Sequence, residues 1–413
     1  MMPVSFTRHQ LLLVLAACLL GLLSTVGAAL PYPILPPLFV GSDPHPIAQW
    51  FGLPPKVLFG FALAVNPLGL LIGASVLGPF SDRHGRRRTL LLTAVMAALG
   101  HLVTAWALLR GWYPLFVLAR FATGLAEGNS PVARAMLADQ IDGQQRNQAF
   151  AWFNSALYLG WLAGPLLAGA TLGFGVAVPF LVAAVALMLS GGLTLAVLSA
   201  EPARPGAVAR SGWRALLRDQ SLGLLAFADI RQLFMPQLLF TLGLTAFYEF
   251  YPVWLVEVSA MNTQGIAWVT AALCLIMTTG SAAAGRLPLR GALQVCAGTA
   301  TLAASCFLWV ALGGARAGLL AILLAGLPIS FYNALLQGEV SRRFGDTYGQ
   351  GAIMGLVSTV FCVSNLLAAL LGSLIATLDT RAILALGAIS SAAAGAWLFA
   401  IARRERRALS VVS

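Results

Sequence analysis

The sequence predicts an all-α polytopic membrane protein whose twelve transmembrane helices form two pseudo-symmetric six-helix bundles. Mean hydropathy is +0.86, with 59% of residues hydrophobic and 9% charged, too little polar surface to cover a soluble globule. Apolar runs of about 20 residues, the length that crosses a bilayer core, recur along the whole chain. They are rich in Leu, Ala and Gly without period-2 alternation, which suits helices and not barrel strands. A weak repeat supplies the two-bundle plan. Gly78 and Gly280, Arg88 and Arg290, Gly124 and Gly326, Gly143 and Gly345, and Gln148 and Gln350 share one constant offset, as a duplicated six-span unit would.

The first span is read at 10–32. Arg8 and His9 precede an apolar stretch in which Leu15-Ala16-Ala17-Cys18 has the look of a lipoprotein cleavage site, but the run continues past Cys18, so an uncleaved span is expected. Residues 31–55 are so rich in proline that a stiff, non-helical external loop is expected. Spans two to six follow at 56–78, 89–109, 113–137, 148–171 and 176–199. The polar stretch EPARPGAVARSGWRALLRDQ reads as a linker with a short surface helix at 211–223. Spans seven to twelve are read at 235–256, 264–285, 291–312, 316–338, 350–377 and 380–402. The expected organisation is therefore an N-terminal bundle, 1–199, a cytoplasmic linker, 200–234, and a C-terminal bundle, 235–413.

Basic residues orient the chain. With the N-terminus inside, Arg8, the 83–88 cluster, Arg146, the linker arginines, Arg342, Arg343 and the 403–407 cluster all fall on the cytoplasmic side. Lys56, Arg110, Arg316 and Arg381 fall outside. This is the positive-inside pattern, so both termini are expected in the cytoplasm of a cell inner membrane. It also accounts for the net charge of +11 without a nucleic-acid partner. Cys18, Cys274, Cys296, Cys306 and Cys362 are isolated in apolar runs, which argues for neither a metal site nor disulfides. An integral-membrane enzyme would need acid/base or metal residues clustered at one face, yet His9, His45, His84 and His101 are scattered. No cofactor is implied.

Between spans two and three the chain reads Gly78-Pro79-Phe80-Ser81-Asp82-Arg83-His84-Gly85-Arg86-Arg87-Arg88. This resembles the signature of the major facilitator superfamily at the same place, with Phe80 standing where Leu is usual. The resemblance implies a cytoplasmic gate. Gly78 is expected to let span two approach a neighbour closely, and Gly85 to permit a tight turn. Asp82 is expected to face the start of span eleven near Gly349-Gln350-Gly351, and Arg83 or Arg86 to pair with Asp139.

Span four carries the most chemistry. Arg120, Glu127 and Arg134 are seven apart and so lie near one helix face. An ionised side chain in hydrocarbon costs about 2.5–3.5 kcal/mol on insertion scales, so that face should look into the bundle or a wet cavity. Arg120-x-x-Thr123-Gly124 resembles the span-four motif of proton-coupled exporters, with Thr123 replacing Gln. Glu127 is accordingly read as a protonatable or substrate-contacting acid modulated by Arg120; a buried structural Arg–Glu pair is the alternative. In span five, Gly160-x-x-x-Gly164-Pro165 resembles the antiporter motif, and residues 120–169 look most like the twelve-span drug/proton antiporters of the tetracycline-efflux type. Span one departs from that type, since Ser24 precedes Thr25-Val26-Gly27 and the span holds no acid.

Span seven supplies a second buried acid, Glu249, flanked by Phe247, Tyr248, Phe250 and Tyr251 with Trp254 beyond. Such a group suits a cationic or planar ligand, or else forms an interfacial aromatic belt. Tyr332, Asn333 and Gln337 of span ten offer hydrogen bonds to a substrate or between helices. The expected function is export of small drug-like or amphipathic molecules by proton antiport, with protons as coupling ion and the chain acting as a monomer. The alternative is a dedicated exporter or importer of an endogenous metabolite such as a siderophore, without proton coupling.

Overall fold

In lipid, each backbone N–H and C=O must find its partner within its own segment, and the apolar runs are helical from end to end. The structure, a computed structural model, describes residues 6–141, 143–197, 221–284, 291–348 and 350–412, with no strand among them. The first half comprises α1 (Arg8–Ala29), α2 (Pro31–Val40), α3 (Pro55–His84), α4 (Arg86–Arg110), α5 (Tyr113–Glu127), α6 (Ser130–Gln140), α7 (Gly143–Thr171) and α8 (Val178–Val197). The second comprises α9 (Ala228–Ser259), α10 (Thr263–Ala284), α11 (Ala292–Leu312), α12 (Ala315–Tyr348), α13 (Gln350–Leu378) and α14 (Thr380–Val412). Eleven helices or continuous helix pairs among the described residues are long and apolar enough to cross a membrane. The broken pair α5–α6 occupies the place of the fourth span read from the sequence.

Three expectations change. Residues 31–40 are helical, not a loop: Leu30 keeps right-handed helical angles (φ −51°, ψ −43°), so α2 continues α1 almost without interruption. Pro31 and Pro33 occupy the first turn, where a missing N–H leaves no bond unmade. Span four is two helices, because the chain leaves helical geometry at Gly128–Asn129 and restarts with Pro131 in the first turn of α6. The helices of spans seven, ten and twelve overrun their predicted ends, starting at Ala228 or reaching Tyr348 and Val412. Most of the surface helix expected at 211–223 lies outside the described residues, and Ser221–Ala226 is a 3₁₀ turn.

Within the first half α1 lies on α7 and α8, α3 on α5, and α4 on α5 and α8; within the second, α9 lies on α13 and α14, and α11 on α12 and α14. The halves meet where α3 packs on α13 and α7 on α10, with α2 against α9 and α10. Close approach depends on glycine at the α3–α5 contact. A Cβ on Gly73 would overlap the backbone of Leu125, and one on Gly124 the backbone of Asn66. Gly124→Val is expected to push α3 and α5 apart and destabilise the protein by about 1–3 kcal/mol; a thermal midpoint in detergent equal to that of the unaltered chain would contradict this.

Candidate functional site

The break after α5 leaves Glu127 as the last residue of that helix, buried where α1, α3, α4 and α5 converge. Its Oε1 lies 3.1 Å from Nε2 of His101 on α4, and its Oε2 accepts from Nδ2 of Asn66 on α3 at 3.1 Å. Asn66 Nδ2 also donates to the Arg120 carbonyl at 3.3 Å, which fixes the amide's orientation. His101 is fully buried, and its Nδ1 finds no partner. The tautomer that donates from Nε2 to Glu127 therefore satisfies the pair.

Arg120, two turns earlier on α5 and 1% exposed, donates from Nη1 to the Gly27 carbonyl of α1 at 3.3 Å and lies within electrostatic reach of Glu127. Gly27 is the floor of this site. A Cβ there would overlap both Glu127 Oε1 and His101 Nε2. Thr123 does not join the cluster, since its hydroxyl donates to the Ala119 carbonyl at 2.7 Å. Arg134 is carried away by the break, donating to Asn154 Oδ1 at 2.9 Å with its guanidinium 5.8 Å from the Phe153 ring.

Span seven meets this cluster from the other half. Glu249 is buried and its Oε2 has no partner. Phe247 stacks on Phe307 at 4.4 Å, Phe250 stands edge-on to Phe59 of α3 at 6.2 Å, and the Tyr251 hydroxyl is 2.6 Å from Thr270 Oγ1. Tyr248 OH contacts Met277 Sδ. Phe247, Phe250, Tyr251 and Trp254 are buried inside the protein, so they form no lipid-facing belt. Tyr32 of α2 joins the halves. Its hydroxyl donates to Asn365 Oδ1 of α13 at 3.4 Å and lies within electrostatic reach of both Arg120 and Glu249. On α12, Tyr332 stacks on Phe240 at 3.6 Å with its hydroxyl unpartnered, while Asn333 and Gln337 are half-buried.

At the junction of α3 and α4 Gly85 turns the chain with φ 89°, in the region that favours glycine. Arg86 lies between two acids, Nη2 at 2.5 Å from Asp82 Oδ1 and Nε at 3.3 Å from Asp139 Oδ2. Arg87 Nη2 donates to the Leu195 carbonyl of α8 at 2.9 Å, and Arg83 is exposed. Gly78 contradicts its expectation: a Cβ there would meet nothing within 4 Å, so no helix crosses closely at that point. Gly349, the Gln350 side chain and the surroundings of Gly351, where Asp82 was expected to face, lie outside the described residues. On α7, Gly160 abuts the Leu22 carbonyl and Thr25, and Gly164 abuts Ala29 and the Val26 carbonyl. Gly160-x-x-x-Gly164-Pro165 thus seats α7 on residues 22–29 of α1, the stretch that contains Gly27.

At the opposite end one side chain ties the two halves together. Lys56, at the start of α3, places Nζ 2.7 Å from Glu257 Oε1 of α9, 2.6 Å from the Ala376 carbonyl of α13 and 3.0 Å from Thr380 Oγ1 of α14. Gly60, one turn deeper, lies against Ser373 and the Ala369 carbonyl. Lys56→Ala is expected to raise labelling of Ser373→Cys by a membrane-impermeant thiol reagent several-fold, in a background without the native cysteines. Equal labelling would show that Lys56 does not hold the halves together.

The family profile of the Major Facilitator Superfamily matches residues 17–369. The chain belongs to this superfamily. Among curated relatives, the class B tetracycline resistance protein of Escherichia coli is 34% identical over 156 residues, covering 37% of this chain and 36% of the relative. The 3-(3-hydroxy-phenyl)propionate transporter of Escherichia coli (strain K12) is 38% identical over 130 residues, 31% of this chain and 30% of the relative. The chain thus matches only about a third of the length of these relatives. Full-length likeness comes from solved structures and shows the fold. The POT family transporter PepTSo superposes with a TM-score of 0.72 at 15% identity, covering 98% of this chain and 99% of that one. The human organic anion transporter MFSD10 does so with 0.68 at 19%, covering 94% and 99%. This major facilitator protein is a membrane transporter and not an enzyme.

Its central residues were only partly visible beforehand. Arg120, Glu127 and Glu249 stand out as charges in apolar runs. Asn66, His101, Tyr32 and Asn365 carry no spacing motif, and only the folded bundle brings them to the acids. A single imidazole in the middle of span three was the one available signal for His101.

Proposed function

We propose that this transporter exports small amphipathic organic molecules in exchange for protons, by alternating access between its two halves. The observation that carries the reading is Glu127. It is a buried acid held between His101 and Asn66 and backed by Arg120, in a conformation closed on the outside through Lys56. Protonation of Glu127 removes a charge whose burial opposes one conformation, and Glu249 with Tyr248 and Tyr251 lines the substrate path from the other half. Asn333 and Gln337 contribute hydrogen bonds, while Asp82, Arg83, Gly85, Arg86, Arg87 and Asp139 form the cytoplasmic gate. The tetracycline resistance relatives support the drug-export direction. The same reading places a monomer in the inner membrane with both termini in the cytoplasm, and bundles at 1–199 and 235–413 joined by the linker.

A second reading, a metabolite transporter, draws on the acid-free first span and on the likeness to the hydroxyphenylpropionate transporter. Inside-out vesicles with an acid interior separate the two. Uptake of tetracycline or of amphipathic cations that collapses with a protonophore supports drug export. Uptake restricted to aromatic carboxylates, and indifferent to the protonophore, would replace it with the second reading.

A further inference from the structure

We propose that residues 46–54 form a membrane-interface anchor, with the Phe51 and Leu53 side chains seated in the headgroup–acyl boundary of the bilayer at the end of the first half that carries Lys56. The inference needs only that the helices cross a bilayer, and it is independent of the export reading. Of the proline-rich stretch 31–55, the part beyond α2 is a loop held in place by its own packing. A 3₁₀ turn forms at Pro46–Ala48, Ile47 and Ala48 are buried, and Pro46 lies so close to Gly111 at the α4–α5 corner that a Cβ there would overlap it. The Leu53 amide then donates to the Trp50 carbonyl at 3.1 Å, closing a β-turn whose two central residues, Phe51 (φ 51°) and Gly52 (φ 67°), are both left-handed. Turns with two left-handed central residues favour Asn, Asp or Gly at those positions. This chain instead places a phenyl ring there, 85% exposed. The strained backbone gains no burial within the protein in return, so the compensation lies outside the chain.

The level of that ring in the fold points to lipid as its cover. Trp50 packs on Tyr113, the first residue of α5, with ring centroids 5.5 Å apart, and the Tyr113 hydroxyl donates at 2.7 Å to the Leu58 carbonyl in the first turn of α3. The turn therefore lies beside the ends of α3, α4 and α5 and not on a stalk above them. On α4, Leu92, Met96, Leu99, Val103 and Trp106 follow the three-and-four spacing of one helix face, and all are exposed, while His101 and Thr104 on the other side are buried. Such a strip on a spanning helix faces acyl chains. It ends in Trp106 and Trp112, whose rings are 6.2 Å apart and about half exposed, with the exposed Arg110 between them. Tryptophan beside a long cationic side chain marks the headgroup level. Trp112 directly precedes Tyr113, so the lipid-facing strip runs on into the Trp50–Phe51 pair, whose centroids are 4.8 Å apart. Leu53 is exposed beside them and α3 starts at Pro55, so the anchor fixes the depth at which α3, with Lys56 in its first turn, enters the bilayer.

The test places a nitroxide label on single cysteines, Phe51→Cys or Leu53→Cys, in the full-length protein without its native cysteines, in nanodiscs of phosphatidylcholine and phosphatidylglycerol. Both side chains are exposed, so the variants keep the packed contacts of Trp50 and Pro46. Leu99→Cys, in the middle of the α4 strip, gives the lipid reference, and Asp43→Cys, on the exposed loop before the 3₁₀ turn, gives the water reference. Collisions with oxygen, which concentrates among acyl chains, are compared with collisions with a water-soluble nickel chelate. Labels at 51 and 53 are expected to fall between the references, with nickel collisions at least about threefold below those at 43, as for groups held about 5–10 Å into the headgroup–acyl boundary. Nickel collisions at 51 equal to those at 43 would put the turn in water and overturn the proposal. Few collisions with either reagent and an immobilised spectrum would show a protein cover, a second copy or another segment, and would overturn it equally.

Discussion

Arg120→Leu is expected to be the most destabilising single change in the central cluster. The guanidinium is fully buried, donates to the Gly27 carbonyl and is the cation within reach of Glu127. Removing one member of a buried charge pair leaves the other uncompensated, which costs about 3–5 kcal/mol. The loss should appear as a thermal midpoint lowered by several degrees in detergent. Because the cost arises from the stranded carboxylate, Arg120→Leu combined with Glu127→Gln should recover a large part of it, with a coupling of about 1–3 kcal/mol between the two sites. Additive losses would mean that Arg120 stabilises the fold through Gly27 and Tyr32 alone.

Glu127→Gln is expected to abolish accumulation against a gradient while downhill movement of the same compound continues. The amide preserves volume and can still accept from His101 Nε2 through its carbonyl oxygen, although its NH2 then faces the Asn66 Nδ2 donor and that one hydrogen bond is lost. What it cannot do is gain or lose a proton, and an exchange cycle without that step has no driving ion. The expected effect is a loss of at least about a hundredfold in the steady-state concentration ratio, since a proton gradient worth about 2.7 kcal/mol supports a ratio of that order. Full accumulation in this variant would move the proton site to Glu249 or to no buried acid at all.

How far the sequence leads differs between fold and site. The spans were legible because lipid forces hydrogen-bonded helices onto any apolar run of sufficient length, and that constraint acts locally. Residues 31–40 escaped because proline content argues against helix, yet Pro31 and Pro33 sit in a first turn and Pro36 and Pro37 are carried inside α2, and whether α1 continues through Leu30 is decided by angles that composition does not display. The break at Gly128–Asn129 escaped for a related reason. A heptad spacing of Arg120, Glu127 and Arg134 implies one face only while the helix is unbroken, and Arg134 is found on Asn154 instead. In the site, an acid in an apolar run announces itself by its cost. Its partners do not, because His101 and Asn66 lie on other spans and are ordinary residues until packing places them 3.1 Å from Glu127. Lys56 was counted only as an exception to the charge rule, and its role in joining the halves comes from Glu257 on the opposite half.

The most direct measurement is of the protons themselves. In inside-out vesicles holding an acid interior, with a pH-sensitive dye in the lumen, addition of tetracycline or another transported amphipathic compound is expected to drain the gradient in proportion to uptake. The Glu127→Gln transporter should take the compound up downhill while the gradient stands. A compound that moves at the same rate through both forms, with the lumenal pH unchanged in each, would contradict proton-coupled export.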